Sequence, residues 1–197
     1  MKLIIATRNR HKLEEIRAIF NFTEGEVASA LDFPDVPDTI EDGDTLEANA
    51  IKKAVEICEA TGLSAMADDS GLEVEALNGE PGVYSARWAG EGCTYADNNA
   101  KLLRELAGAK NRRAKFRTVI ALARPDETPV TVEGSISGLI CAEPRGEHGF
   151  GYDPLFVPDG YSQTFAELSA EIKNRISHRA RALNAALTVW RDFFESL

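Results

Sequence analysis

Two adjacent carboxylates, Asp68 and Asp69, follow the apolar run 65–67 and precede Ser70 and Gly71. Ligands of α/β sheets usually bind at the carboxyl ends of strands, so chemistry is expected here. In a strand over residues 64–68 the two carboxylates point to opposite faces, unless the turn re-aims one of them. Their proximity raises the pKa of at least one, and a hard cation such as Mg²⁺ would relieve the repulsion. The alternative is a strand-ending turn in which Gly71 adopts a positive φ.

A polar, basic loop follows the first predicted strand, which covers residues 2–6. A helix with Leu13, Ile16 and Phe20 on one face comes next. The loop residues are Thr7, Arg8, Asn9, Arg10, His11 and Lys12. A strand, a polar loop and a helix N-terminus together present backbone N–H groups to an anion, which predicts phosphate binding. The loop lacks the glycines of a Walker motif and of GxGxxG, so a solvated turn with incidental charge is the alternative.

Cations also gather where a long C-terminal helix is predicted to begin, capped by Ser177. They are Lys173, Arg175, His178 and Arg179. Because the helix macrodipole disfavours cations at an N-terminus, an anionic ligand or partner is expected to compensate them.

Upstream, three glycines alternate with Phe150 and Tyr152. These aromatic rings either offer a stacking face to a ligand or simply pack in a glycine-rich corner.

The other segments predict an α/β chain. A helix should run from a capping-box-like start at residues 44–47 to about Thr61, and a second helix should run from Thr94 to Gly108. Core-facing residues on these two helices are predicted to be Ile51, Ala54, Val55, Cys58, Leu103, Leu106 and Ala107. Lys53 could reach inward from the first helix, although exposure is the commoner fate of a lysine. Core-facing and solvent-facing residues alternate over 114–124 and again over 129–139, which predicts a β-hairpin. A further strand is predicted over residues 155–157.

Composition narrows the classes of function. The 197 residues predict a single domain over 1–197, with two lobes. A net charge of −10 argues against a nucleic-acid-binding surface, and no apolar stretch is long enough to span a membrane. The three cysteines are odd in number and contain no CxxC pair, which favours reduced thiols and a cytoplasmic protein.

One small polyanion would account for the basic loop, the paired carboxylates and the second group of cations. A magnesium-bound nucleoside triphosphate fits best, with cations for the phosphates, carboxylates for the metal and water, and an aromatic ring for the base. Five ordered motifs then resemble those of the inosine triphosphate pyrophosphatases, enzymes that remove non-standard purine nucleotides. The motifs cover residues 6–12, 67–71, 81–87, 149–154 and 176–179.

This resemblance implies a mixed, twisted central sheet flanked by helices, with two lobes, an active-site cleft between them, and a homodimer. It implies Mg²⁺-dependent hydrolysis of ITP, dITP and XTP to a monophosphate and pyrophosphate. Asp69 would be the general base, and Glu41, Asp68 and Asp69 would serve the metal. Implied substrate-binding residues are Thr7, Arg8, Asn9, Arg10, His11, Lys12, Lys53, Ser70, Phe150, Gly151, Tyr152, Asp153, Lys173, His178 and Arg179. Glu147 and His148 depart from the family pattern and put the local loop geometry in doubt.

The base pocket is expected to favour 6-oxo purines. Arg179, Lys173 and nearby backbone N–H groups offer only donors, which suit a carbonyl at position 6 and mismatch the amino group of adenine. In the alternative, Arg179 only neutralises phosphate.

Three rival functions remain open. A phosphomonoesterase with an aspartyl-phosphate intermediate would place its nucleophile after the first strand, where this chain has Thr7 and Asn9. A pyrophosphatase for pyrimidine or modified nucleotides would share the chemistry and differ in the base pocket. A non-catalytic nucleotide sensor would need no carboxylate pair beside its phosphate-binding lysines.

Overall fold

The strands form one mixed sheet. The computed structural model describes residues 3–20 and 27–197, so Lys2 of the predicted first strand lies outside the described residues. Within this part of the chain the strands are β1 (Leu3–Ile5), β2 (Val27–Ser29), β3 (Ser64–Val74), β4 (Pro81–Gly82), β5 (Arg113–Ala123), β6 (Val130–Ile140) and β7 (Phe156–Pro158). Their order is β2-β1-β3-β5-β6-β7, and β4 pairs with β3. β1 is parallel to β2 and β3, whereas β4 is antiparallel to β3 and β7 to β6.

Helices occupy much of the remaining described chain. They are α1 (Arg10–Phe20), α2 (Leu46–Thr61), α3 (Tyr95–Glu105), α4 (Ala170–Ile176), α5 (His178–Val189) and α6 (Arg191–Glu195), with 3₁₀ turns at Ala30–Asp32 and Glu75–Leu77. The predicted α/β class with a mixed sheet is confirmed. The predicted hairpin is also present, since β5 and β6 are neighbours joined by residues 124–129. No helix in these described ranges is long and apolar enough to cross a membrane.

The chain divides into two compact units. The first comprises the described residues up to Asp69, Thr118–Gly134 and Arg179–Leu197, and the second comprises Ser70–Arg117 and Ser135–His178. The core of the first unit contains Leu3, Ile5, Leu13, Ile16, Met66, Ile120, Leu122, Ala182, Leu183, Ala186 and Trp190. The core of the second unit includes Leu72, Val74, Leu102, Leu106, Phe116, Ile140, Leu155, Phe156 and Phe165.

Polar residues inside α2 shift its buried face from the predicted one. Thr45 is the N-cap and its side chain accepts from the amide of Ala48, so the predicted capping box is absent at this helix. The helix ends at Gly62, which has φ 69°. The buried face carries Leu46, Asn49, Ala50, Lys53, Ala54, Ile57 and Cys58, whereas Ile51 and Val55 are only half-buried. An apolar pattern could not reveal this face, because two of its members are polar.

The predicted C-terminal helix begins after Ser177, as α5, but it ends at Val189, and the separate helix α6 follows from Arg191 to Glu195. Ser177 has extended backbone angles, ends α4 and precedes α5. Lys173 and Arg175 therefore lie in the last turn of α4, where the macrodipole favours cations. Near α3, Leu106 is buried as predicted and Leu103 is half-buried, whereas Leu102 is also buried and Ala107 is exposed.

Candidate active site

Asp68 and Asp69 lie inside a continuous strand. β3 extends from Ser64 to Val74, and β4 pairs with its second half at residues 72 and 73. The predicted break at Ser70 and Gly71 is therefore wrong, because pairing with β4 keeps the chain extended beyond the carboxylates. Gly71 does not adopt a positive φ. As neighbours in a strand, the two side chains face opposite sides of the sheet and enter different surroundings.

Asp68 is held by two cations of the first unit. Its Oδ2 lies 3.2 Å from Lys12 Nζ and accepts from Arg179 Nε at 3.1 Å and Nη2 at 3.0 Å. Arg179 also pairs with Glu15. Burial alone would raise the pKa of Asp68, but Lys12, Arg179 and Lys53 outweigh it and hold that pKa well below its usual range. These contacts therefore favour the charged form of Asp68.

Asp69 shares one lysine with Glu41. Lys53 Nζ donates to Asp69 Oδ1 at 3.0 Å, to Glu41 Oε1 at 2.9 Å and to the Asp68 carbonyl at 2.7 Å. Asn49 Nδ2 lies 3.4 Å from Asp69 Oδ2. Burial raises the pKa of Asp69, and Lys53 and Lys12 only partly offset that rise. The raised pKa makes Asp69 the better proton acceptor of the pair.

The opposite pKa shifts of two neighbouring carboxylates separate their chemical roles. A group held charged by several cations stabilises charge, whereas a group with a raised pKa accepts a proton more readily. Such a division is typical of sites that combine fixed charge with acid–base chemistry. The adjacency of Asp68 and Asp69 predicted a perturbed pair, but only the contacts of each side show which pKa rises.

The side chains of the loop over residues 7–12 fall into three groups according to what they contact. Asn9 Oδ1 accepts from the amides of His11 at 3.0 Å and Lys12 at 3.3 Å, and Thr7 Oγ1 accepts from the Asn9 amide at 3.2 Å. These contacts cap α1. Arg10 and His11 are exposed, whereas Lys12 points to Asp68. Arg8 instead pairs with Asp38. The structure therefore brings one cation of this loop, Lys12, directly to the carboxylate pair.

In the second unit, Asp153 organises another group of predicted residues. Its Oδ2 accepts from the Phe150 amide at 2.8 Å and from Lys173 Nζ at 2.5 Å. Lys173 Nζ also lies 4.9 Å from the centre of the Phe150 ring. Asp153 is 3% and Lys173 is 5% exposed, so this pair is shielded from solvent. Asn99 Nδ2 holds the same loop by donating to the Gly151 carbonyl at 3.0 Å.

Two predicted substrate-binding residues of the second unit are packed in its interior. The Tyr152 hydroxyl donates to the Ser85 carbonyl at 2.9 Å, and burial raises the pKa of Tyr152. The His178 ring stacks on Phe116 with centres 4.5 Å apart and an interplanar angle of 11°. Of the two aromatic rings in the glycine-rich segment, Phe150 is the less buried and remains the candidate stacking face.

Arg179 is compensated by the protein itself. The predicted anionic ligand is unnecessary for this residue, because Asp68 and Glu15 surround its guanidinium, which is 1% exposed. Sequence analysis did not single out Glu15, although it lies three residues after Lys12 on the same face of α1. It also missed the role of Asn49, because a polar residue on a helix is ordinarily exposed.

The carboxylates have the chemistry of a hard-cation site. Glu41 and Asp69 already converge on one positive centre, Lys53 Nζ, and carboxylate oxygens are the ligands that Mg²⁺ prefers. Over the described ranges, no group of three or more His, Cys, Asp or Glu side chains forms a ready-made metal cage. Glu41 and Asp69, with the neighbouring Asp68, therefore fit a divalent cation by chemical type.

Fold and site together define an α/β protein with a buried acid–base pair among lysines and arginine. A sequence model of the Ham1 family matches residues 3–189, and the chain belongs to this family. A dITP/XTP pyrophosphatase of Desulfotalea psychrophila is 51% identical over 181 residues, covering 92% of this chain and 81% of the relative. A protein with that name from Desulforamulus reducens is 51% identical over 191 residues, covering 96% and 95%.

Solved structures agree with this assignment. A HAM1 protein from Coxiella burnetii is 41% identical, with a TM-score of 0.88 over 98% of this chain and 99% of the other. The Staphylococcus aureus Ham1 protein is 40% identical, with a TM-score of 0.87 over 98% and 100%. The resemblance inferred from five motifs is confirmed.

Proposed function

We propose that this protein hydrolyses non-standard purine nucleoside triphosphates (dITP, ITP and XTP) to the monophosphate and pyrophosphate, with Mg²⁺ as cofactor. The observation that carries this proposal is the divided carboxylate pair, in which Asp68 is paired with Lys12 and Arg179, whereas Asp69 shares Lys53 with Glu41. Membership of the Ham1 family and relatives named dITP/XTP pyrophosphatase at 51% identity support the choice of substrate.

Asp69 is the general base in this proposal. It takes a proton from the attacking water as the water oxygen bonds to the α-phosphorus, and the bond from that phosphorus to the bridging oxygen breaks. Pyrophosphate leaves with the electron pair, and Lys12 and Lys53 offset the charge that develops on it. Mg²⁺ held by Glu41, Asp68 and Asp69 would supply further positive charge to the phosphates and would make water a better nucleophile.

The other proposed roles follow from each group's own surroundings. Glu41, Asp68 and Asp69 serve the metal, and Arg179 positions Asp68. Residues proposed to bind substrate are Thr7, Asn9, Arg10, His11, Lys12, Lys53, Ser70, Phe150, Gly151, Tyr152, Asp153, Lys173 and His178. Among these, Phe150 offers the ring face, and Asp153 fixes both the Phe150 backbone and Lys173.

Pyrophosphate release from a panel of triphosphates tests the proposal. XTP, ITP and dITP should be turned over at least about 10²-fold faster in kcat/KM than ATP, since a donor such as Lys173 suits a carbonyl at position 6 and mismatches the amino group of adenine. Asp69→Asn should abolish most turnover with every substrate. Equal rates with ATP and XTP would contradict the proposed specificity, and release of orthophosphate alone would contradict the reaction.

We also propose a cytoplasmic homodimer that acts on small-molecule nucleotides and not on nucleic acid. The acidic composition supports the absence of a nucleic-acid partner. The three cysteines, all within the described residues, form no disulfide, which supports a reducing compartment. Light scattering during size-exclusion chromatography measures the mass, and a monomer at micromolar concentration would contradict the dimer.

A further inference from the structure

Arg8 is the residue of the basic loop whose contacts differ most from a phosphate-binding role. Its Nη2 donates to the carbonyl of Phe33 at 3.4 Å and also to the carbonyl of Val36. Its Nε pairs with Asp38. All three acceptors belong to residues 33–45, a segment without helix or strand that we call the acidic loop.

The acidic loop carries Glu41, the carboxylate that shares Lys53 with Asp69. α2 holds the far end of the loop, because Lys52 pairs with Asp42 at 2.6 Å and Asn49 Oδ1 accepts from the Gly43 amide at 2.8 Å. Arg8 holds the near end. Glu41 lies between these two attachments, so its position depends on both.

We propose that Arg8 is a positioning residue that fastens the acidic loop and thereby sets Glu41 beside Asp69, and that it does not bind substrate phosphate. The guanidinium is well suited to this task, because its planar, divergent N–H groups can serve two carbonyls and a carboxylate at once. Asp38 is 79% exposed, so the ion pair alone is weak. The combination with two backbone carbonyls makes the attachment specific.

Hydrogen exchange of the metal-free protein tests the attachment directly and needs no substrate. Several amides of the acidic loop have backbone partners, including Val36 N to Phe33 O at 3.2 Å. Arg8→Met should speed exchange of a peptide over residues 33–42 by about 3–10-fold, and Asp38→Asn should speed it by less, because the two carbonyl bonds of Arg8 remain. The double variant should exchange no faster than Arg8→Met, because both changes release the same attachment.

Matched controls carry the same changes of charge at exposed positions. Arg17→Met on α1 and Asp35→Asn on the acidic loop should leave the exchange of residues 33–42 as in the parent. Unchanged exchange in Arg8→Met, or an equal acceleration in the controls, would overturn the proposed attachment.

The catalytic consequence rests on the proposed function. In XTP hydrolysis, Arg8→Met should raise the half-saturating Mg²⁺ concentration by about 3–10-fold, as loss of an outer support of a metal ligand does, and Asp38→Asn should raise it by less. KM for XTP at saturating Mg²⁺ should stay within about 2-fold of the parent. A KM increase of about 10-fold in Arg8→Met but not in Asp38→Asn would assign Arg8 to phosphate and overturn the inference. A parent enzyme that releases no pyrophosphate would instead refute the proposed function, and the exchange experiment would still decide the role of Arg8.

Discussion

Substitutions at the neighbouring residues Asp68 and Asp69 should affect folding stability very differently. Asp68 is 3% exposed and neutralises Arg179, which is 1% exposed, as well as Lys12. Asp68→Asn leaves these two buried cations with less compensating charge. Asp69→Asn leaves Lys53 with two further acceptors, Glu41 Oε1 and the Asp68 carbonyl.

The expected changes in Tm differ clearly between the two variants. Removing one partner of a buried ion pair costs about 3–5 kcal/mol, and each kcal/mol shifts Tm by about 2–4 °C in a chain of this length, so Asp68→Asn should lower Tm by about 6–20 °C. The pKa of Asp69 is raised in the folded protein, so its charged form is a net cost at neutral pH. Asp69→Asn should therefore melt within about 2 °C of the parent or above it.

Thermal and urea unfolding at pH 7 measure both effects, and each variant serves as the other's control because the chemical change is identical. The two variants should differ in the opposite sense in activity. Asp69→Asn should lower kcat by about 10²–10⁴-fold, because it removes the general base. An Asp68→Asn variant as stable as the parent, or an Asp69→Asn variant that loses more stability than Asp68→Asn, would refute the assignment of the two carboxylates.

The effect of Asp68 should also depend on pH with a defined sign. Its pKa is lower in the folded than in the unfolded chain, so the stabilisation is fully present above the unfolded pKa of about 3.9 and disappears as pH falls through the folded value. The stability difference between parent and Asp68→Asn should thus shrink only below about pH 4. A difference that already disappears between pH 7 and pH 5 would contradict the depressed pKa.

Three further outcomes are expected. Because burial raises the pKa of Asp69, the acid limb of kcat against pH should have its midpoint above the ordinary carboxyl value of 3.8, and a midpoint at or below it would contradict the base role. Gly149→Ala should raise KM for XTP and destabilise the protein, because its Cβ would lie 2.1 Å from Asp153 Oδ2 at a φ of +74°. Gly160→Ala, with a φ of +86° and no atom within 4 Å, should lose stability without a KM change. Thr45→Ala should lower the free energy of unfolding by about 1 kcal/mol in urea titrations, through loss of the N-cap of α2.

Sequence patterns predicted the elements of the fold better than their connections. Apolar periodicity and capping residues located α1, α2 and α3 to within a few residues, because these signals are local. The extension of β3 past Asp69 depends on pairing with β4 at residues 72 and 73, which no local pattern contains. The start of α5 after Ser177 was predicted, but the short helix α4 before it and the break between α5 and α6 at Trp190 were not.

For the candidate site, residue types predicted which groups matter, but not what each contacts. The basic loop, the paired carboxylates and Arg179 were all recognised from their spacing. Their partners depend on tertiary contacts, as shown by Arg179, whose carboxylates come from positions 15 and 68. Arg8 is the clearest example, because its neighbours in the sequence suggest phosphate and its contacts are with the acidic loop.

Hydrolysis of XTP in water enriched in ¹⁸O most directly tests whether water attacks the α-phosphorus. Mass spectrometry of the products should find one labelled oxygen in xanthosine monophosphate and none in pyrophosphate. Label in the pyrophosphate would place the attack on the β-phosphorus. Label in free orthophosphate, with a nucleoside diphosphate as co-product, would mean attack on the γ-phosphorus, and either result would contradict the proposed reaction.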